Sequence, residues 1–82
     1  MTAATASGVF LRRLYSAQNG LYGIYKFRTD KGNLISVKYF SEVQPEICRT
    51  RKVKLTGQAF QDGAHGLTMH LEKIEKVNNA TN

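Results

Sequence analysis

Apolar and polar residues alternate along this chain in short runs, and turn chemistry separates the runs. GVFLRRLYS (8–16) and LYGIYKFRT (21–29) flank Gln18-Asn19-Gly20, and Asn-Gly is the strongest short-range hairpin signal. Asp30-Lys31-Gly32-Asn33 forms a second tight turn before LISVKYF (34–40), with Gly32 supplying the positive φ such a turn needs. These runs are rich in Val, Ile, Tyr, Phe and Thr, as strands prefer, and predict a three-stranded meander. SEVQPEICRTR (41–51) breaks the alternation. Pro45 excludes a central strand, Ser41 is placed to cap a short turn of helix, and Pro45 to Arg49 is the other short helical candidate. KVKLTGQAF (52–60) alternates again, with Val53, Leu55, Gly57 and Ala59 opposite Lys52, Lys54, Thr56, Gln58 and Phe60. Gly57 marks a bend or bulge in that strand. QDGAHG (61–66) is a hairpin loop, and LTMHLEKIEKV (67–77) closes the set. Its alternation holds through Leu67, Met69 and Leu71, then slips to Ile74 and Val77. A bulge or a helix stripe explains the slip; the strand reading is preferred.

The chain is therefore all-β, with at most one short helix between the third and fourth strands. Five strands in this order fit a small oligonucleotide-binding (OB) barrel, a partly open Greek-key design. An SH3-like barrel is the main competitor, but its long loops fall earlier in the chain. Alternation predicts a core of Val9, Leu11, Leu21, Tyr25, Phe27, Ile35, Val37, Val53, Leu55, Leu67, Met69, Leu71 and Ile74. Residues 1–7 and 78–82 are small and polar and read as disordered tails around one domain, 8–77.

Length adds a constraint. A domain of 82 residues is marginally stable alone and usually needs a staple or a partner subunit. Cys48 is the only cysteine, so no intrachain disulfide forms, and it reads as a buried or half-buried thiol near Pro45 and Ile47. His65 and His70 do not complete a zinc pattern with it. A homo-oligomer, with a dimer favoured, is the expectation. The start lacks the features of a signal peptide, and no apolar run approaches a membrane span. A lone cysteine and no export signal fit the cytosol.

Charge sharpens the functional reading. The net charge is +6. From Gly8 to Phe60 there are ten basic residues and three acidic ones, whereas from Gln61 onward the balance is −1. Positive charge concentrated in the first four strands reads as an electrostatic footprint for a polyanion. Single-stranded nucleic acid needs a basic groove for its phosphates and flat side chains for its bases. Alternation puts Tyr22, Lys26, Arg28, Lys38, Phe40, Lys52, Lys54 and Phe60 on one outer face. Arg12 and Arg13 on the ambiguous first strand, with Arg49 and Arg51 in the dense basic cluster, complete the candidate nucleic-acid-binding set. No glycine-rich phosphate loop, nucleophile elbow or metal motif appears, so no enzyme and no cofactor is expected.

Gly8 to Val77 resembles the OB domains of single-stranded DNA-binding proteins, carried by GVFLRRLYSAQNGLYGIYKFRT, GNLISVKYF, KVKLTGQAF and HGLTMHLEKIEKV. The last hairpin looks like that of primosomal replication protein N and of bacterial single-stranded DNA-binding proteins. The opening is similar to the small barrel of RecD-type helicases, and the length to the single-stranded DNA-binding proteins of filamentous phages. The chain departs from these by lacking tryptophan and an acidic C-terminal tail. The resemblance implies a phage, plasmid or primosome-like protein that binds single-stranded DNA in replication or recombination across the second and third strands. Two alternatives stay open: an RNA-binding module of the same fold, and a protein-interaction adaptor that uses the aromatic face as a subunit interface.

Overall fold

The computed structural model describes residues 2–63 and 66–77. Five strands form: β1 (Thr2–Ser16), β2 (Tyr22–Thr29), β3 (Leu34–Phe40), β4 (Val53–Asp62) and β5 (Gly66–Lys76). β1, β2 and β3 make the antiparallel meander. β3 then pairs in parallel with β5 over Ser36–Tyr39 and Thr68–Leu71. β5 returns antiparallel to β4, and β4 pairs with β1. The order β1-β2-β3-β5-β4 closes on itself, giving a small OB-like barrel that is closed where the sequence predicts a partly open one. Gly20 and Gly32 both adopt positive φ in the two meander turns. Residues 41–52 contain no helix. Ser41 Oγ does accept the Val43 N–H at 3.1 Å, but the segment stays irregular.

β1 is longer than its sequence pattern shows. Residues 2–7, read above as a tail, pair with β4 from Thr2 opposite Ala59 to Ser7 opposite Lys54. The remaining tail, 78–82, lies outside the described residues. Gly8 is the point where β1 changes partners, opposite Val53 on one side and Thr29 on the other. A Cβ at Gly8 would overlap the Arg28 carbonyl oxygen, so the crossing depends on a bare backbone.

The core comprises Phe10, Tyr25, Phe27, Ile35, Val37, Val53, Leu55, Met69 and Leu71, with Ala4, Ala6, Tyr39 and Ile74 packed against it. Phe10 corrects the predicted phase of the first strand, which put Val9 and Leu11 inside. Three consecutive apolar residues do not define a phase by themselves. The cross-strand partner decides it: Phe10 stands opposite Phe27, and directly opposed residues share a face. Its ring meets Tyr25 and Phe27 edge-to-face, with centroids 5.5 and 5.1 Å away. Leu21 and Leu67, also predicted inside, are exposed, one just before β2 and the other at the start of β5.

The slip in β5 is a bulge. Thr56 faces Lys73 but Gly57 faces Leu71, leaving Glu72 as the extra residue. At that point a Cβ on Gly57 would overlap the His70 carbonyl oxygen. Gly57→Ala is therefore expected to destabilise the barrel by about 1–3 kcal/mol. Each kcal/mol lowers the Tm of a domain this size by roughly 4–8 °C. An unchanged melting curve would disprove the close approach.

Candidate nucleic-acid interface

The outer face follows from the register. Tyr22 stands opposite Phe40, Ile24 opposite Lys38 and Lys26 opposite Ser36. Across the parallel junction Lys38 faces His70 and Ser36 faces Thr68. On the next strand His70 faces Gln58 and Thr68 faces Phe60. Inward positions on the same strands are taken by Tyr25, Phe27, Val37, Met69 and Leu71, so these opposed pairs point outward.

Their rings meet in sequence. Tyr15 lies 6.1 Å from Tyr22, and Tyr22 stacks on Phe40 at 4.2 Å with planes 25° apart. His70 links Phe40 at 5.5 Å to Phe60 at 6.5 Å. This ladder crosses all five strands, from β1 through β2, β3 and β5 to β4. Tyr15 and Phe40 are 53% and 62% exposed, so each keeps ring surface in solvent although Tyr22 covers one face of Phe40. The predicted ring residues Tyr22, Phe40 and Phe60 thus come together. Tyr15 and His70 join them, although strand alternation assigns neither to this face. For Tyr15, two register breaks in β1, after Phe10 and after Arg13, hide the outward phase from simple alternation. His70 comes beside Phe40 through the parallel junction, which no local pattern reveals. His65 lies outside the described residues.

The predicted cations divide into two groups. Arg12 stands opposite Lys26 and Lys38 sits between the rings, whereas Arg28, opposite Leu34, lies six residues along β2 from Tyr22. Lys38 Nζ is 3.2 Å from Asp62 Oδ2 and 5.7 Å from the Phe60 ring centroid. The others are placed elsewhere. Arg13 stands opposite inward-facing Tyr25. Arg49 Nε donates to the Leu11 carbonyl at 3.1 Å, tying the β3–β4 connection to the bulged part of β1. Arg51 pairs with Glu46 at 3.9 Å and Lys52 with Asp30 at 3.2 Å. Lys54 lies between Ser7 and Glu75, six residues or about 20 Å along the strand from Phe60. The dense cluster 49–54 therefore does not join the ring-bearing face. Sequence proximity overstated it because the chain there leaves an irregular segment and enters β4 at the strand's far end.

Beneath the face, Tyr25 donates its phenol to Gln44 Oε1 at 2.6 Å, and Gln44 Nε2 donates to the Ser41 carbonyl at 2.7 Å. This ties the β3–β4 connection to the core. Burial pushes the Tyr25 phenol above its usual pKa, with the Arg13 guanidinium pulling the other way. In the unfolded chain this phenol ionises first. Its contribution is thus fully present below pH about 10 and lost as pH rises through the higher folded value. Urea midpoints at pH 8 and pH 11 should fall further for the wild type than for Tyr25→Phe; equal falls would refute the coupling. Cys48 is a free, half-buried thiol. Its 3.3 Å contact with the Thr50 hydroxyl, helped by Arg51, holds its pKa below the ordinary value.

Among the described residues no three metal-ligating side chains gather, and no helix is long and apolar enough to cross a membrane. The chain matches no protein-family model, no curated protein and no solved structure.

Proposed function

We propose that this barrel is a non-enzymatic binding module for single-stranded nucleic acid, with DNA as its principal ligand. The observation that carries this reading is the unbroken ring ladder from Tyr15 to Phe60, with Lys38 beside its Phe60 end. Bases stack on the rings, and phosphates lie over Arg12, Lys26 and Lys38. Stacking contributes roughly 1–3 kcal/mol per base and tolerates any sequence, so specificity for sequence is low. A duplex hides the faces of its bases and is the poorer ligand. Replication and recombination, which expose single strands, are the processes such a grip would serve.

Fluorescence anisotropy with labelled single-stranded and duplex oligonucleotides across a salt series tests the reading. Six phosphate contacts would give a slope of log affinity against log salt near −4, at roughly −0.7 per contact. The three cations that share the ring face, Arg12, Lys26 and Lys38, reduce the expected slope to about −2. A flat salt dependence, or equal affinity for duplex, would overturn the proposal. Competition by a matched RNA strand decides between the two nucleic acids, and stronger competition by RNA would reassign the ligand.

A further inference from the structure

Ser36 and Thr68 are anomalies on the ring face. They stand opposite each other across the β3–β5 junction and share the outward phase of Lys38 and His70. Yet their exposures are 0% and 1%. Thr68 Oγ1 donates to the Gly66 carbonyl at 3.2 Å. Ser36 Oγ makes no hydrogen bond among the described residues. A hydroxyl buried without a partner suffers its full desolvation cost, and such a group in a folded chain calls for a reason. The residues opposite the pair are Lys26 on β2 and Phe60 on β4. Both are half-buried, and both are long enough to lean over two small side chains. Lys38, two residues along β3, is held by Asp62 near the Phe60 ring.

We infer that Ser36 and Thr68 form the hydroxyl floor of a nucleobase slot, walled by Lys26 and Phe60, which these longer side chains cover in the free chain. The inference rests on the single-strand reading above and adds a ligand-facing site to it. A base stacked on Phe60 extends across Thr68 toward Ser36, the next residue in the same row. The serine hydroxyl both donates and accepts, so it suits the polar edge of any base. Opening the slot needs only side-chain rotation, which is fast on the timescale of binding. The hydrogen bond absent from the free chain is made in the complex, so Ser36 contributes to affinity while adding nothing to the stability of the unbound fold.

The test compares wild type, Ser36→Ala, Ser36→Cys and Phe40→Ala on two labelled strands of equal length, one an ordinary single-stranded DNA and the other abasic. Ser36→Ala should melt at or above the wild-type temperature and bind the ordinary strand at least fivefold more weakly. Its affinity for the abasic strand should be unchanged. Ser36→Cys, which keeps the shape but bonds poorly, should show the same loss. If both Ser36 variants bind like wild type while Phe40→Ala is weakened, the slot is refuted and the ladder stands. Equal losses on both strands also refute it, since they report a general distortion. Failure of the wild type to bind either strand removes the ladder reading, and the slot with it.

Discussion

Phe40→Ala should weaken binding of a short single-stranded oligonucleotide by roughly tenfold to a hundredfold, the loss of one stacked base at about 1–3 kcal/mol. Phe40 is the most exposed of the ladder's rings and its central member, touching Tyr22 on one side and His70 on the other. Truncation there divides the ladder into a Tyr15–Tyr22 part and a His70–Phe60 part. Because the side chain is largely in solvent, the melting temperature should change little, which separates loss of grip from loss of fold. Phe40→Tyr should retain most of the affinity, since it keeps an aromatic face. Lys38→Ala, by contrast, should remove one phosphate contact and make the salt slope shallower by roughly 0.7. Full affinity in a well-folded Phe40→Ala protein would exclude the ladder as the path of the strand.

Phe10→Ala should have the largest effect on stability, about 3–5 kcal/mol. A domain of this length has a total stability of roughly 4–12 kcal/mol, so the variant loses a quarter or more of it. The cause is local: Phe10 is buried and its ring is the common edge-to-face partner of Tyr25 and Phe27. Leu11→Ala, one residue on, should cost about 1 kcal/mol or less, because Leu11 is half-buried beside a break in the β1–β2 register. Urea titration of the two variants orders them. A larger loss for Leu11→Ala would mean that β1 has the opposite phase.

These two positions show where the amino-acid pattern is informative and where it is not. Turn chemistry marked both meander connections, because Asn19-Gly20 and Lys31-Gly32 carry their backbone requirement in residue identity. The inward residues of β2, β3 and β4 were legible from strict alternation. In β1 the run Val9-Phe10-Leu11 has no polar residue to mark a phase, and two register breaks follow it. The opening residues were missed for a different reason. Ala4 and Ala6 pack against the core from a stretch of Thr, Ala and Ser, whose period of two is present but carries little hydrophobic contrast. On the candidate face, Tyr22 and Phe40 stand opposed on neighbouring strands of the meander with the shared outward phase that alternation predicts. The place of His70 depends on the parallel junction, and the dispersal of Arg49, Arg51, Lys52 and Lys54 depends on an irregular connection. Both are tertiary facts with no local signature.

The first turnings of β1 also bear on how the molecule tolerates trimming. Thr2 to Gly8 form the seam that joins the cylinder's two margins. A version shortened to Gly8 would look harmless on paper, since it discards only residues of bland chemistry. It would strip β4 of its neighbour along Lys54 to Ala59 and expose a row of amide and carbonyl groups, a ready template for sticking to other copies. Clumping in such a shortened protein would trace to that opened seam and would carry no information about the outer surface.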